Sequence, residues 1–318
     1  MRRMGILIKP DKIPGSRAIF NPAAIQERNG TIHLFCRVED QNRCSEIRRV
    51  TLDSNLMIKD IAAQPILAPN GPWENRGRED PRILTMAGGL YLLTYTAAQA
   101  NGRDCYTRIG LASSCDLLEF KRGSILTDLG YNKNGVLLDK RIQDTYWLYH
   151  RRTYPNIWTA CSQDLHSWHS FQEVMTIRPD SWDCHHIGMG IVLPDDNGWL
   201  AFYHGADDAN VYRIGAALFD GENPAKLIAR SREPILEPKK VYERNGLVPN
   251  VVFTCGAIAI NDHIIIFYGA ADTCVAAAEY TRRELYNLLK PIPSPPLQRK
   301  RGFLSQIVLQ LLRLFVLF

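Results

Sequence analysis

Five times along the chain, a polar residue beside Pro or Gly opens a short apolar strand, and a turn rich in Gly, Asn or Asp leads into a second strand of aromatic and β-branched residues. The copies begin at Phe20 ("FNPAAIQERNGTIHLFCRVED"), Glu79 ("EDPRILTMAGGLYLLTYTAAQ"), Lys133 ("KNGVLLDKRIQDTYWLYHRRT"), His186 ("HIGMGIVLPDDNGWLAFYHGADD") and Val248 ("VPNVVFTCGAIAINDHIIIFYGAADT"), 53 to 62 residues apart. Third strands follow as "IRRVTLD", "RIGLASS", "IWTACSQ" and "YRIGAAL", and the weaker "PILAP" and "PILEP" read as fourth strands. Such a repeat limits the fold more than any single motif, because one unit cannot bury its own apolar face and must stack on its neighbours. An eight-stranded sandwich would not give five copies of one opening signal. The expectation is an all-β fold, a five-bladed β-propeller with a short C-terminal helix and a tail.

The piece "GILIKP" before the first copy is a candidate outer strand for the last one. After it, "AAAEYTRRELYNLLK" has helical spacing at Leu285, Leu288 and Leu289, and "PIPSPP" stops it. One catalytic domain is therefore expected over residues 1–290, a Pro-rich and basic linker over 291–302, and an apolar amphipathic tail over 303–318. The tail's apolar run of about 16 residues is short of the roughly 20 that span a bilayer. Behind the basic Arg299, Lys300 and Arg301, it reads either as a helix lying on an anionic membrane surface or as an oligomer contact.

Charge narrows the partners. The net charge is +5, and removing the tail's Arg299, Lys300, Arg301 and Arg313 leaves about +1, so the body has no nucleic-acid-like basic bias. The eight cysteines show no C-x-x-C pair and no dense framework. No signal-peptide core precedes Lys9. A cytoplasmic protein with reduced thiols, peripheral to a membrane if the tail binds one, is the expectation.

In a propeller the innermost strands line a central channel, so their opening residues converge on one mouth: Asn21, Asp80, Asn134, His186 and Asn250. The ends of the second strands, at Arg37, Tyr95, Thr96, Arg151, His204 and Asp272, form a neighbouring ring. Carboxylates, amides and cations from different units around one funnel suit a small polar ligand.

At these residues the chain resembles the β-mannoside phosphorylases of glycoside hydrolase family 130. The resemblance is carried by "FNPA", "GREDPRI", "TYTA", "KNGVLL", "YHRRTYPNIW", "HIGMG", "YHG", "YRIGAAL", "PILEP", "VPNVVF" and "YGAADT", in the family's order over residues 15–290. It implies a five-bladed propeller and inverting phosphorolysis of terminal β-mannosides to α-mannose 1-phosphate, a glycosyltransferase-type reaction. Asp80 would be the general acid, acting through a mannose hydroxyl. Lys133, Arg151, His204 and Tyr212 would bind phosphate, and Asn21, Arg37, Asn134 and Asp272 the sugar. No cofactor or metal is implied; inorganic phosphate is a co-substrate, beside a short β-1,4- or β-1,2-linked oligosaccharide. Three positions depart from the family: Arg152 stands where proline is usual, Met189 in "IGMG" replaces alanine in a loop expected to face sugar, and His186 stands where lysine is expected.

Each residue also has a plainer reading. Asp-Pro is a common turn opener, Lys133 could be a solvated turn lysine, and Arg151 could pair with an acid. Glu79 could raise Asp80 by like charge, but pairing with Arg78 or Arg82 is favoured. His185 and His186, adjacent on an extended strand, should face opposite ways, which argues against a metal pair. "SSCDLLEF" and "SQDLHSWHSF" read as repeated outer turns, and His33 as a strand residue. Alternatives in function are an inverting β-mannosidase with Asp207, Asp208, Glu237 or Glu243 as base, and a non-catalytic sugar-binding propeller. A nucleotide-sugar transferase lacks a glycine-rich loop.

Overall fold

The structure is a computed structural model and describes residues 1–292 apart from Arg103 and Thr153. It is built mostly of strands. β1 (Arg2–Ile8) comes first. Antiparallel meanders follow: β2 (Ser16–Gln26), β3 (Ile32–Asp40), β4 (Ser45–Leu52) and β5 (Ile58–Ile61), then β6 (Gly77–Thr85), β7 (Tyr91–Asn101), β8 (Asp104–Ser114) and β9 (Lys121–Ile125). The third holds β10 (Val136–Leu137), β11 (Tyr146–His150), β12 (Ile157–Ser162) and β13 (His169–Met175). The fourth holds β14 (His186–Asp195), β15 (Gly198–Ala206), β16 (Tyr212–Phe219) and β17 (Leu227–Ser231). After the one-turn helix α1 (Val241–Arg244) come β18 (Val252–Ile260), β19 (His263–Ala270) and β20 (Cys274–Thr281), then α2 (Arg282–Leu288) and β21 (Leu289–Pro291).

The repeat units of the sequence are these meanders. Hydrogen bonding merges the first two into one eight-stranded sheet through a single parallel pair, Ser45 with Gly77. The first strands β2, β6, β10, β14 and β18 together line one cavity of about 270 Å³. β1 pairs antiparallel with β20, with Arg2 opposite Glu279, so "GILIKP" does supply the outer strand of the last unit.

Two strand assignments change. "PILAP" and "PILEP" form only isolated bridges, Ile47 with Leu67 and Ile214 with Leu236. Each is flanked by prolines, which have no N–H to give a ladder, and β5 and β17 take the outer position instead. The "AAAEY" half of the expected helix is strand β20, and only Arg282–Leu288 coils, behind the capping box of Thr281 and Glu284. Leu289–Pro291 returns to strand against β17. Most of the linker and all of the tail lie outside the described residues. No helix among the described residues is long and apolar enough to cross a membrane.

Three units share an internal clasp. Tyr95, Tyr203 and Tyr268, all on second strands, donate to the immersed carboxylates of Glu74 (2.7 Å), Asp183 (3.0 Å) and Glu243 (2.8 Å). Each carboxylate also takes arginine: Arg78 at 2.6 Å, Arg178 and Arg230 at 2.8 and 2.6 Å, and Arg3 at 2.8 Å. The two serine turns are repeats as read: Ser114 donates to Asp116 and Ser162 to Asp164, both at 3.0 Å.

Candidate active site

The backbone aims the polar residues. Asn21, Asp80, Asn134 and Asp272 all have positive φ, at 47°, 49°, 58° and 47°. Asn and Asp tolerate this left-handed region better than other non-glycine residues. Asn21-Pro22 and Asp80-Pro81 occupy bulges where the ladder skips between Phe20 and Ala23 and between Glu79 and Arg82. Proline cannot donate there, so the ladder breaks and the preceding side chain swings off the sheet. Gly269 makes room beside them, since a Cβ on it would come within 2.2 Å of Asn21 Oδ1.

At one side of the resulting cleft, Asn21 Nδ2 donates to Asp80 Oδ1 at 2.8 Å and Arg37 Nη1 reaches the same oxygen at 3.4 Å. Burial alone would raise the Asp80 carboxyl, but the guanidiniums of Arg37 and Arg82 and the Asn21 amide outweigh it and hold it below its ordinary value. Glu79 pairs with Arg37 at 2.9 Å, not with Arg78 or Arg82. Arg78 is committed to Glu74, and Arg82 donates to the carbonyls of Asp80, Met189 and Gly190. Asp272 completes this side. Burial first, then the nearby Asp80, Glu39 and Glu79, push its carboxyl up to about 7 against the pull of Arg37.

Cations and hydroxyls hold the other side. The Arg151 backbone N–H donates to the Lys133 carbonyl at 3.0 Å, drawing two segments of the third unit together. Beneath them Asn132 and His150 are bonded at 2.9 Å. Neither Lys133 nor Arg151 has a carboxylate partner among the described residues, and Arg151 Nη1 is buried with no partner at all. Burial, then Arg151, lowers the Lys133 ammonium, with Asp80 and Glu79 partly offsetting them. Two unpaired cations side by side are the arrangement a phosphate dianion needs.

Asn21, Arg37, Asp80, Lys133, Tyr212 and Asp272 thus line one open cleft of about 160 Å³, with Glu79 and Phe253. That is below the usual ligand-pocket range of roughly 300–1,000 Å³ and has room for about one sugar ring. It is not the largest cleft. A flank groove of about 590 Å³ is bigger, but its Arg178 and Arg230 are already tied to Asp183. Asn134 and His204 lie a layer deeper. Asn134 Oδ1 accepts from Arg82, so its Nδ2 faces His204 Nε2 at 3.4 Å and donates to it. Burial and then Arg151 push His204 far below its ordinary value, so the ring is neutral. Its one proton then sits on Nδ1, which is buried without a partner. Gly188 permits this stack: a Cβ there would meet Asn134 and His204 within 2.5 Å.

Other expected residues lie elsewhere. Tyr95 is spent on the clasp, and Asn250 is an exposed turn residue with φ 60°. Of the alternative bases, Glu243 belongs to a clasp, Asp207 caps its own turn and binds Arg213, Asp208 is exposed, and Glu237 pairs with Lys239. None lines the cleft. No group of three His, Cys, Asp or Glu able to hold a metal occurs among the described residues. Phe253 was not singled out in the sequence, although it sits in the motif "VPNVVF" that opens the last unit.

A family model for glycoside hydrolase family 130, described as β-1,4-mannooligosaccharide phosphorylase, matches residues 4–291. The chain belongs to this family. It is 39% identical over 271 residues to a 1,2-β-oligomannan phosphorylase of Thermoanaerobacter sp. (strain X514), covering 82% of this chain and 89% of that one. A β-1,2-mannobiose phosphorylase of the same strain is 40% identical over 276 residues, with the same two shares of 82% and 89%. The solved β-1,2-mannobiose phosphorylase of Listeria innocua, in complex with β-1,2-mannobiose, superposes with a TM-score of 0.81 at 26% identity, over 89% of this chain and 96% of that one.

The three positions expected to depart from the family fall in distinct places. Arg152 stacks on Phe171 at 4.0 Å. Met189 does not face sugar; it is fully buried in β14, within the largest apolar cluster. His185 lies just before β14, so its ring does not oppose that of His186; the two meet edge to face at 5.2 Å. His186 bonds Tyr212 at 3.0 Å and Tyr154 at 3.3 Å.

Proposed function

We propose that this family-130 chain is an inverting phosphorylase that cleaves, or in reverse forms, terminal β-mannosides with inorganic phosphate, yielding α-mannose 1-phosphate. Its five strand units are read as the blades of a propeller, with the cleft at one mouth of the channel. The observation that carries the proposal is the division of the cleft. One side offers a carboxylate, Asp80, with polar partners; the other offers Lys133, Arg151 and Tyr212 with bonding capacity to spare.

In this reading Asn21, Arg37, Asn134 and Asp272 hold the mannose, and Lys133, Arg151, Tyr212 and the His204 N–H hold phosphate. A phosphate oxygen attacks the anomeric carbon as the glycosidic bond breaks. Asp80 gives its proton to a mannose hydroxyl, which passes its own to the leaving oxygen, so the second sugar departs with a free hydroxyl. Arg37 and Arg82 favour the ionised form of Asp80. Entry of a phosphate dianion opposes that bias, since added negative charge nearby raises a carboxyl's proton affinity. Phosphate binding would thereby arm the acid. With phosphate as nucleophile, no base carboxylate is needed.

Identity of 39–40% to two enzymes named for β-1,2-mannan supports that linkage over β-1,4. Eight cysteines without a disulfide suit the reducing cytoplasm, where phosphate is plentiful. The test is incubation with β-1,2- and β-1,4-mannobiose, with and without phosphate. Mannose 1-phosphate should form only with phosphate, and faster from the β-1,2 link. Free mannose released equally without phosphate would overturn the proposal.

A further inference from the structure

Three rings behind the cation side form a chain. Tyr154 Oη lies 3.3 Å from His186 Nδ1, and His186 Nε2 lies 3.0 Å from Tyr212 Oη, which lines the cleft. The Tyr154 ring also faces the Arg151 guanidinium at 5.7 Å and leaves much of its surface to solvent. Burial, then Arg151, His185 and Lys133, push His186 down to about 3, so the imidazole is neutral at working pH. A neutral imidazole has one N–H and one acceptor nitrogen. The chain can therefore run in only two directions. If Tyr212 donated to His186, it could only accept from the cleft and would repel an anion. Beside Lys133 and Arg151, the ligand that fits is an anion that needs donors.

We propose that His186 and Tyr154 are positioning residues that set the direction of the Tyr212 hydroxyl. Tyr154 O–H donates to His186 Nδ1, His186 Nε2–H donates to the Tyr212 oxygen, and Tyr212 O–H is left to donate to phosphate. Neither touches the reacting atoms. This rests on the phosphorylase reading and adds to it the route by which one donor is oriented.

The experiment has two independent readouts. In protein labelled with ¹⁵N-histidine, the His186 signals, identified by their loss in His186→Phe, should show the proton on Nε2 in the presence of inorganic phosphate. A proton on Nδ1 would overturn the proposal, whatever the turnover. In phosphorolysis assays, Tyr154→Phe should raise the KM for phosphate about threefold to tenfold, the worth of one neutral hydrogen bond. Its KM for mannobiose and its fold should not change. In the His186→Phe background the same Tyr154→Phe change should have no effect, because the link is already cut. Additive effects, or an unchanged phosphate KM, would overturn it. A wild-type enzyme that makes no mannose 1-phosphate would instead sink the phosphorylase reading, and the tautomer would still be read.

Discussion

The chain keeps two kinds of buried charge. In the clasps, each carboxylate is saturated: Asp183 takes Arg178, Arg230 and Tyr203, and Glu243 takes Arg3, Tyr268 and two backbone N–H groups. At the cleft, Lys133 lines the wall and Arg151 sits beside it, neither with a carboxylate partner among the described residues; Arg151 Nη1 and, a layer deeper, His204 Nδ1 are left without partners. Buried charge without partners costs stability. A fold that gives every clasp carboxylate an arginine and leaves these two adjacent cations without a carboxylate reserves the patch for something it binds.

That contrast can be broken most severely at Asp80. Asp80→Asn keeps the Asn21 contact geometry but removes the proton donor, and should cost about 10²–10⁴-fold in phosphorolysis with little change in melting temperature. Asp183→Asn should do the reverse. Two arginines lose their buried counter-charge, at a cost of about 3–5 kcal/mol in urea unfolding, and the protein that remains folded should keep its kcat. Arg151→Lys is milder: the forked donor is lost, and the phosphate KM should rise about 10-fold or more while the mannoside KM holds. A pH test sharpens the comparison within the cleft. The folded Asp272 value, near 7, lies above the unfolded value of about 3.9, so the folded chain binds that proton more tightly. Its stabilising contribution is complete below the unfolded value and is lost as pH rises through about 7. Melting curves of wild type should therefore fall relative to Asp272→Asn across that window; parallel curves would refute the shift.

Much of this was legible in the residues. The five units could be read because strand openings, turns and aromatic second strands recur in phase. The serine turns could be read because Ser-x-Asp bonds are local, closed within a few residues. Several site residues could be placed because a polar opening position recurs as Asn21, Asp80 and Asn134, and the structure gives each of the three a left-handed backbone. What escaped was partner choice over long distances. Glu79 had two arginines within three residues, yet its partner is Arg37, 42 residues away on β3. Met189 sat in a motif that suggested a loop, and only the packing of β14 against its neighbours shows it immersed. "PILEP" and "LIARS" compete for one strand position, and apolar content alone could not rank a proline-flanked segment below an arginine-containing one. The clasp tyrosines were invisible for the same reason: Glu74, Asp183 and Glu243 come from connecting segments of differing length and form, Glu243 from the one-turn helix α1, before the units they serve.

β1 has a consequence for how the molecule is made. Residues 2–8 are translated before every other strand described, yet their partners at residues 275–279 come only after the first four units. Until then the first strand has no ladder to join, and the Arg3 that later neutralises Glu243 remains in water. The growing chain carries an unpaired strand until β20 follows, and a strand without its ladder is open to pairing elsewhere. A bulky group fused ahead of residue 2 would burden that late closure.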